Sequence, residues 1–95
     1  MEFILELSPA AKRDLKKLPN DVQREILFTH LPVIKDDPYF TGIPLHGALE
    51  GERCYHFGRK PEYRIIYLIK DGLITVTIIG TREGIYKRAK RHRRR

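Results

Sequence analysis

Three side chains suited to binding and cleaving a phosphodiester lie near the ends of two apolar segments. Arg64 lies early in EYRIIYLIK (62–70), and Arg82 lies three residues after LITVTII (73–79). Tyr86 lies four residues after Arg82, so a helix that starts near Arg82 places both side chains on one face. The planar fork of arginine suits a phosphate, whereas a phenol acts as a base only where nearby cations favour its phenolate. The set therefore predicts a phosphodiester site.

Where the phosphodiester belongs to RNA, cleavage without a metal uses the substrate's own 2′-hydroxyl as the nucleophile. A protein must then remove the hydroxyl proton, stabilise the phosphorane and protonate the leaving 5′-oxygen. Arg64 and Arg82 suit the phosphorane, because each donor aimed at developing negative charge contributes on the order of 10²- to 10³-fold. His56 suits the leaving group, because histidine titrates near neutral pH and transfers protons there. We therefore predict that His56 is the general acid.

Positive charge is concentrated at one end of the chain. Residues 1–86 are neutral overall, and the whole net charge of +7 lies in KRAKRHRRR (87–95). A neutral body with a cationic end favours a polyanion such as RNA, DNA or the ribosome surface. The residues that we predict to bind RNA are Arg59, Lys60, Lys87, Lys90 and Arg91.

Each of these residues also has a purely structural interpretation. Arg64 can pair with Glu62 or Glu83 on the surface, Tyr86 can pack its ring over the sheet, and His56 can be an exposed strand histidine. The basic loop and the basic end can be solvated charge. Two arginines brought together repel each other, however, unless an anion lies between them.

The first elements of the chain are predicted to be a strand and a helix. EFILEL (2–7) alternates loosely and is short enough for a strand. Ser8 followed by Pro9 is typical of a helix start, and an apolar face follows. That helix should stop at Pro19.

A second helix is predicted to follow directly. Asn20, with Gln23 three residues later, resembles a capping box. Pro32 should kink the final turns of this helix, and the segment KDDPYFTGIP (35–44) is predicted to be a loop. The apolar positions expected to form its buried stripe are Val22, Ile26, Leu27, Leu31 and Ile34.

The rest of the chain is predicted to form a sheet and a short helix. ERCYHFG (52–58) is one strand, and Asp71-Gly72 joins the next two as a tight antiparallel hairpin with a type I′ turn. The hairpin places Arg64 opposite the region of Ile79 and Gly80. The predicted fold is α+β, with an antiparallel sheet, two N-terminal helices packed on one face and a short C-terminal helix.

The length and composition suit one small domain (1–95) with a basic C-terminal tail (87–95). The chain has 95 residues, 41% of them hydrophobic. No apolar run approaches the roughly 18 residues of a membrane span, and the N-terminus has no basic leader region, so we expect a cytoplasmic protein with no membrane partner. A single Cys54 excludes an internal disulfide, and neither it nor the histidines have zinc-ligand spacing, so we expect no metal and no cofactor.

The segments LHGALEGERCYHFG, EYRIIYLI and IIGTREGIY resemble the RelE/ParE superfamily of toxins from type II toxin-antitoxin systems. The likeness covers nearly the whole chain. It implies a small microbial ribonuclease fold and, for the RelE branch, an mRNA interferase that cleaves mRNA in the ribosomal A site and so inhibits translation. In that branch the arginine matching Arg64 is implicated in stabilising the transition state. The residues matching Arg82 and Tyr86 are both implicated in catalysis.

One strand departs from the RelE pattern. RelE-like enzymes place two lysines before the YR motif, where this chain has His56 and, approximately, Gly58. Arg59 and Lys60 can restore positive charge from the adjoining loop. Because other branches of the superfamily use histidine for acid-base work, His56 is interpreted as a replacement.

The resemblance also implies partners. These are a cognate antitoxin, mRNA on the ribosome, and operator DNA bound by the toxin-antitoxin complex. A second interpretation is a ParE-like toxin that inhibits DNA gyrase by binding, without nuclease chemistry. A third is an RNA-binding module that depends on its cationic tail alone.

Overall fold

The computed structural model describes residues 2–93, apart from the side chains of residues 86 and 89–93. A π-helical turn (Ile26–His30) joins two of the helices, and a 3-10 turn (Gly47–Leu49) precedes the central strands. The elements are β1 (Ile4–Leu7), α1 (Pro9–Lys16), α2 (Asn20–Glu25), α3 (Leu31–Asp36), α4 (Pro38–Thr41), β2 (Ile43–Pro44), β3 (Arg53–Phe57), β4 (Tyr63–Lys70), β5 (Leu73–Thr81) and α5 (Arg82–Arg93). Within residues 2–93, no helix is long and apolar enough to cross a membrane.

The strands form a five-stranded sheet in the order β1-β5-β4-β3-β2. The antiparallel pairing of β3, β4 and β5 confirms the predicted three-stranded unit. The predicted first strand is present as β1. Sequence analysis did not assign its neighbour in the sheet, and the structure pairs it with β5 in parallel. Because β5 lies between β1 and β4, it has the central position that its apolar faces predict.

The β4-β5 hairpin contains the predicted turn and an additional bulge. Asp71 and Gly72 have φ values of 51° and 78°, as a type I′ turn requires. Farther along, Tyr67 pairs with Val76, but the preceding Ile66 pairs with Ile78, so Thr77 is an extra residue in β5. A bulge reverses the alternation of side chains beyond it. Beyond the bulge, the residues of β4 therefore pair one position farther along β5 than a simple count from the turn predicts.

The sheet is covered on both faces. One face packs against α1, the π-helical turn and α3, whose buried residues include Ala11, Leu15, Ile26 and Ile34, and α2 adds the partly buried Val22. The other face forms a smaller core around Cys54 and Ile85, and Ile85 belongs to α5. The N-terminal helices thus share one face, as predicted, and α5 lies on the other.

The predicted capping box at the second helix is wrong. The N-cap position of α2 is Pro19, and no side chain caps this helix start. The Gln23 amide donates instead to the Leu18 carbonyl at 2.8 Å. This carbonyl follows α1, where helix-end carbonyls lack donors, so Gln23 satisfies the end of the first helix rather than the start of its own.

A π-helical turn directly precedes the helix that contains Pro32, and part of the predicted buried stripe is wrong. The Leu31 N–H donates to the Ile26 carbonyl five residues earlier. Leu27 is 44% exposed, whereas His30 is buried. His30 lies one turn after Ile26 and so occupies the buried position, while Leu27 points well away from it.

The predicted loop at 35–44 instead contains α4 and β2. Tertiary hydrogen bonds hold this segment. Arg53 Nη2 donates to the carbonyls of Tyr39 and Gly42, and the Tyr67 hydroxyl donates to the Pro38 carbonyl at 2.7 Å. Donors that come from distant strands give no local signal in the sequence, which explains the wrong prediction.

Replacing Gly42 with alanine should destabilise the protein. Gly42 is buried, and a Cβ atom there would collide with the Tyr67 hydroxyl and lie 3.0 Å from the ring carbon that carries it. Overpacking of this kind costs about 1–3 kcal/mol, which urea denaturation measures directly. In a Tyr67→Phe background the same substitution should cost less, because the colliding oxygen is gone. Equal costs in the two backgrounds would contradict this explanation.

Candidate active site

Antiparallel pairing aligns an apolar row across the three central strands on the face covered by α5. Cys54 pairs with Ile66, and Ile66 pairs with Ile78. All three side chains are buried, and Ile85 of α5 packs on them. This row fixes α5 against the sheet.

A polar row lies two residues farther along the same strands. His56 pairs with Arg64, and Arg64 pairs with Gly80. Because strand side chains alternate, these residues share the face of the apolar row. His56 is exposed, whereas the Arg64 side chain is only 17% exposed. The pairing brings His56 and Arg64 side by side beside a residue that has no side chain.

The segment after Gly80 places Arg82 at the start of α5. The Thr81 hydroxyl accepts a hydrogen bond from the Gly84 N–H at 3.4 Å, as an N-cap residue does. The Arg82 N–H donates to the Glu62 carbonyl at 3.2 Å, which ties the helix start to the strand that carries Arg64. A cation in the first turn opposes the helix dipole. Arg82 thus breaks a local rule, as functional residues often do.

Glu62 provides a carboxylate among these cations. Arg64 Nε donates to Glu62 Oε2 at 2.7 Å, so the ion pair of the structural interpretation is present. This hydrogen bond lowers the pKa of the Glu62 carboxyl despite the opposing effect of desolvation, and the charges of Arg64, His56 and Arg82 lower it further. All three predicted cationic groups therefore lie within electrostatic reach of one carboxylate.

A cleft of about 410 Å³ opens at this end of the sheet. Arg82 and Glu62 line it, so the start of α5 and the residue just before β4 share one hollow. Arg64 adjoins this hollow through its bond to Glu62. The lining residues are Lys60, Pro61, Glu62, Thr81, Arg82 and Glu83. The two cations of this lining, Lys60 and Arg82, are suited to contact a phosphate of an extended RNA strand.

A family model described as the ParE toxin of the type II toxin-antitoxin system parDE matches residues 5–86. The chain belongs to this family. Two curated toxins of Mycobacterium tuberculosis are similar to it. Toxin RelE is 33% identical over 77 residues, covering 81% of this chain and 76% of that toxin. Toxin RelG is 30% identical over 90 residues, covering 93% of this chain and 100% of that toxin.

A solved structure confirms the fold. The crystal structure of the toxin-antitoxin complex RelBE2 from Mycobacterium tuberculosis matches with a TM-score of 0.74 at 24% identity, covering 86% of this chain and 100% of that chain. The protein is therefore a RelE-like toxin of a type II toxin-antitoxin system, with the predicted α+β fold.

Of the other predicted site residues of this RelE-like toxin, Lys60 lines the cleft, Arg59 and Lys87 are exposed, and the rest have side chains outside the described part of the structure. Arg59 and Lys60 are exposed in the loop between β3 and β4, and Lys87 is exposed on α5. The backbone of Tyr86 lies in α5, one turn after Arg82, but its side chain lies outside the described residues. The side chains of Lys90 and Arg91 do so too.

Sequence analysis missed Asp14 as a residue that positions α5. Asp14 Oδ2 accepts a hydrogen bond from the Ile79 N–H at 3.0 Å and another from Arg88 Nη1 at 2.9 Å. One carboxylate thus links α1, β5 and α5. An aspartate inside an amphipathic helix gives no local signal of this role.

Cys54 lies beneath the polar row of the toxin but is a packing residue. Burial raises the pKa of the Cys54 thiol, and the neighbouring Arg64 only partly opposes this effect. A neutral buried thiol is neither a good nucleophile nor a good metal ligand. Among the described residues, no three His, Cys, Asp or Glu side chains are grouped so that they could hold a metal ion.

Proposed function

We propose that this toxin is a ribosome-dependent endoribonuclease that cleaves mRNA in the ribosomal A site and thereby inhibits translation. The reaction is a metal-free transphosphorylation with the substrate's 2′-hydroxyl as the nucleophile. The observation that carries the proposal is the polar row, in which His56 pairs with Arg64 and Arg64 pairs with Gly80. Arg82 follows Gly80 by two residues and lines the cleft. The resemblance to the RelE branch supports the same activity.

The proposed roles follow from the chemistry of each group. Arg64 and Arg82 stabilise the negative charge of the phosphorane, because guanidinium groups donate to phosphate oxygens without giving up their protons. His56 protonates the leaving 5′-oxygen. Tyr86 acts beside Arg82, as the resemblance implies. The residues that hold the RNA backbone are Arg59, Lys60, Lys87, Lys90 and Arg91.

The proposed protein partner is a cognate antitoxin, and the toxin-antitoxin complex binds operator DNA. Several large apolar side chains are exposed on β1, the π-helical turn, α3, α4 and β2, and such surfaces commonly bind proteins. The exposed fractions reach 77% for Phe28 and 87% for Phe40. The proposed substrate places the free toxin in the cytoplasm, where ribosomes translate.

Mapping the 5′ ends of cellular messages after brief expression tests the activity. We expect new ends clustered inside translated codons, because the A site is occupied only during translation. The double variant Arg64→Ala/Arg82→Ala is the control and should produce none. Absence of new ends with the wild-type toxin, at a dose that stops growth, would refute the nuclease.

A ParE-like inhibitor of DNA gyrase is the second candidate function. The matching family model carries the ParE description, which favours it. Such a toxin would bind gyrase and cause DNA damage without cutting messages. The mapping experiment, run alongside a DNA-damage reporter, therefore separates the two candidates.

A further inference from the structure

One carboxylate at the candidate active site has no role in the proposed mechanism. Glu62 Oε2 accepts a hydrogen bond from Arg64 at 2.7 Å, and the Glu62 side chain is 33% exposed. Its backbone carbonyl accepts from the Arg82 N–H at 3.2 Å. Glu62 also lines the cleft with Arg82. The carboxylate is therefore fixed against one arginine, tied through its backbone to the other, and accessible to an RNA strand.

We propose that Glu62 is the general base that takes the proton from the substrate's 2′-hydroxyl. This inference rests on the proposed nuclease function and fills the one proton-transfer role that His56 cannot fill. His56 must start each reaction protonated to act as the acid. A base must start without its proton, so a second titratable group is needed.

The neighbouring groups are poorly suited to that role. Guanidinium groups are never deprotonated in proteins, and Lys60, the other cation that lines the cleft, lies in an exposed loop with no bond to the Glu62 carboxylate among the described contacts. The phenol of Tyr86 keeps its proton at neutral pH unless cations favour the phenolate. A carboxylate begins ionised. The Arg64 hydrogen bond, which lowers the pKa of Glu62, keeps it so.

Geometry favours Glu62 over Glu83, the other carboxylate of the cleft. Arg64 is one of the two arginines proposed to bind the scissile phosphate, and Glu62 is bonded to it directly. The 2′-oxygen of RNA lies on the ribose next to that phosphate. A carboxylate adjoining the phosphate-binding guanidinium is therefore close to the proton that must be removed. Glu83 lies at the second position of α5 and is exposed.

The complete step balances with these two residues. The 2′-hydroxyl proton passes to the Glu62 carboxylate while the 2′-oxygen forms a bond to phosphorus. The bond between phosphorus and the 5′-oxygen breaks, and His56 gives its proton to that oxygen. The products are a 2′,3′-cyclic phosphate and a 5′-hydroxyl. Water then returns the proton from Glu62 to His56.

Single-turnover cleavage of mRNA on programmed ribosomes tests the assignment. Glu62→Gln keeps an oxygen that can accept from Arg64 but cannot take a proton, so we expect the rate at saturating toxin to fall about 10²-fold or more. Apparent affinity for the ribosome complex should stay equal or tighten, because a negative charge leaves a phosphate site. Glu62→Asp can still accept a proton and should retain more activity than Glu62→Gln.

A matched control and the opposing results complete the test. Glu2→Gln makes the same charge change at an exposed residue that does not line the cleft, and it should cleave at the wild-type rate. The assignment of Glu62 as the general base is wrong if Glu62→Gln cleaves like the wild type or faster than Glu62→Asp. Glu62 would then be a residue that only orients Arg64. Wild-type toxin that leaves A-site mRNA intact would overturn the nuclease itself, and this inference with it.

Discussion

Replacing Arg82 with alanine should slow cleavage of A-site mRNA at least about 10²-fold, because one donor to the developing phosphorane charge is lost. The fold should be unaffected. The Arg82 side chain is exposed, and the contact of this residue with Glu62 is made by its backbone N–H. The measurement is single-turnover cleavage on programmed ribosomes, with the melting temperature recorded for each variant.

Two further variants sharpen the Arg82 result. Lys12→Ala removes a positive charge from an exposed position on α1, away from the cleft, and should cleave normally. Arg82→Lys keeps the charge but loses the planar fork, so an intermediate rate is expected. If Arg82→Ala keeps the wild-type rate, the Gly-Thr-Arg-Glu turn serves only to start α5.

Replacing His56 with alanine should slow cleavage by about 10²- to 10⁴-fold if His56 is the general acid. His56 is an exposed residue of β3 and pairs with Arg64 of β4. Because its side chain is exposed, its loss should not disturb the core. An A-site message with sulfur in place of the leaving 5′-oxygen provides the decisive substrate. A thiolate leaves without protonation, so His56→Ala should cleave it at nearly the wild-type rate.

The same sulfur substrate separates acid catalysis from other roles. Arg82→Ala should remain slow on it, because the phosphorane still needs its donor. His56→Ala that is equally slow on both substrates would show that His56 positions the RNA instead. His56→Ala that is fast on both would remove His56 from the mechanism.

Much of the local structure was predictable because the signals were local. Ser8 caps α1 by accepting from the Ala11 N–H at 3.1 Å, and Asp71-Gly72 forms the predicted turn. The wrong predictions share a physical cause. Gln23, together with the residues of α4 and β2, makes its decisive hydrogen bonds with partners outside its own element. A pattern read along one segment contains no information about such partners.

The candidate site divides in the same way. The residue types and the hairpin predicted that Arg64 and Arg82 would approach each other. The sequence was compatible with an ion pair between Arg64 and either Glu62 or Glu83. Only the structure shows that Glu62 is the partner. The contact of Asp14 with β5 depends on where β1 ends. The pairing of β1 with β5 stops at Val76, so the Ile79 N–H lies beyond it and donates to Asp14 instead.

The amino-acid sequence by itself determined the order of the main elements other than α4 and β2, together with the hairpin turn and the cationic end. Only the tertiary structure decided which residue faces Arg64. Without the bulge at Thr77, a count from the turn pairs Arg64 with Ile79, whose side chain would then fill the polar row. The Thr77 hydroxyl donates to Glu52 at 2.7 Å, a partner 25 positions away in the chain. One extra residue in a strand reverses every side chain after it, so Gly80 takes that place and Ile79 turns to the helical core.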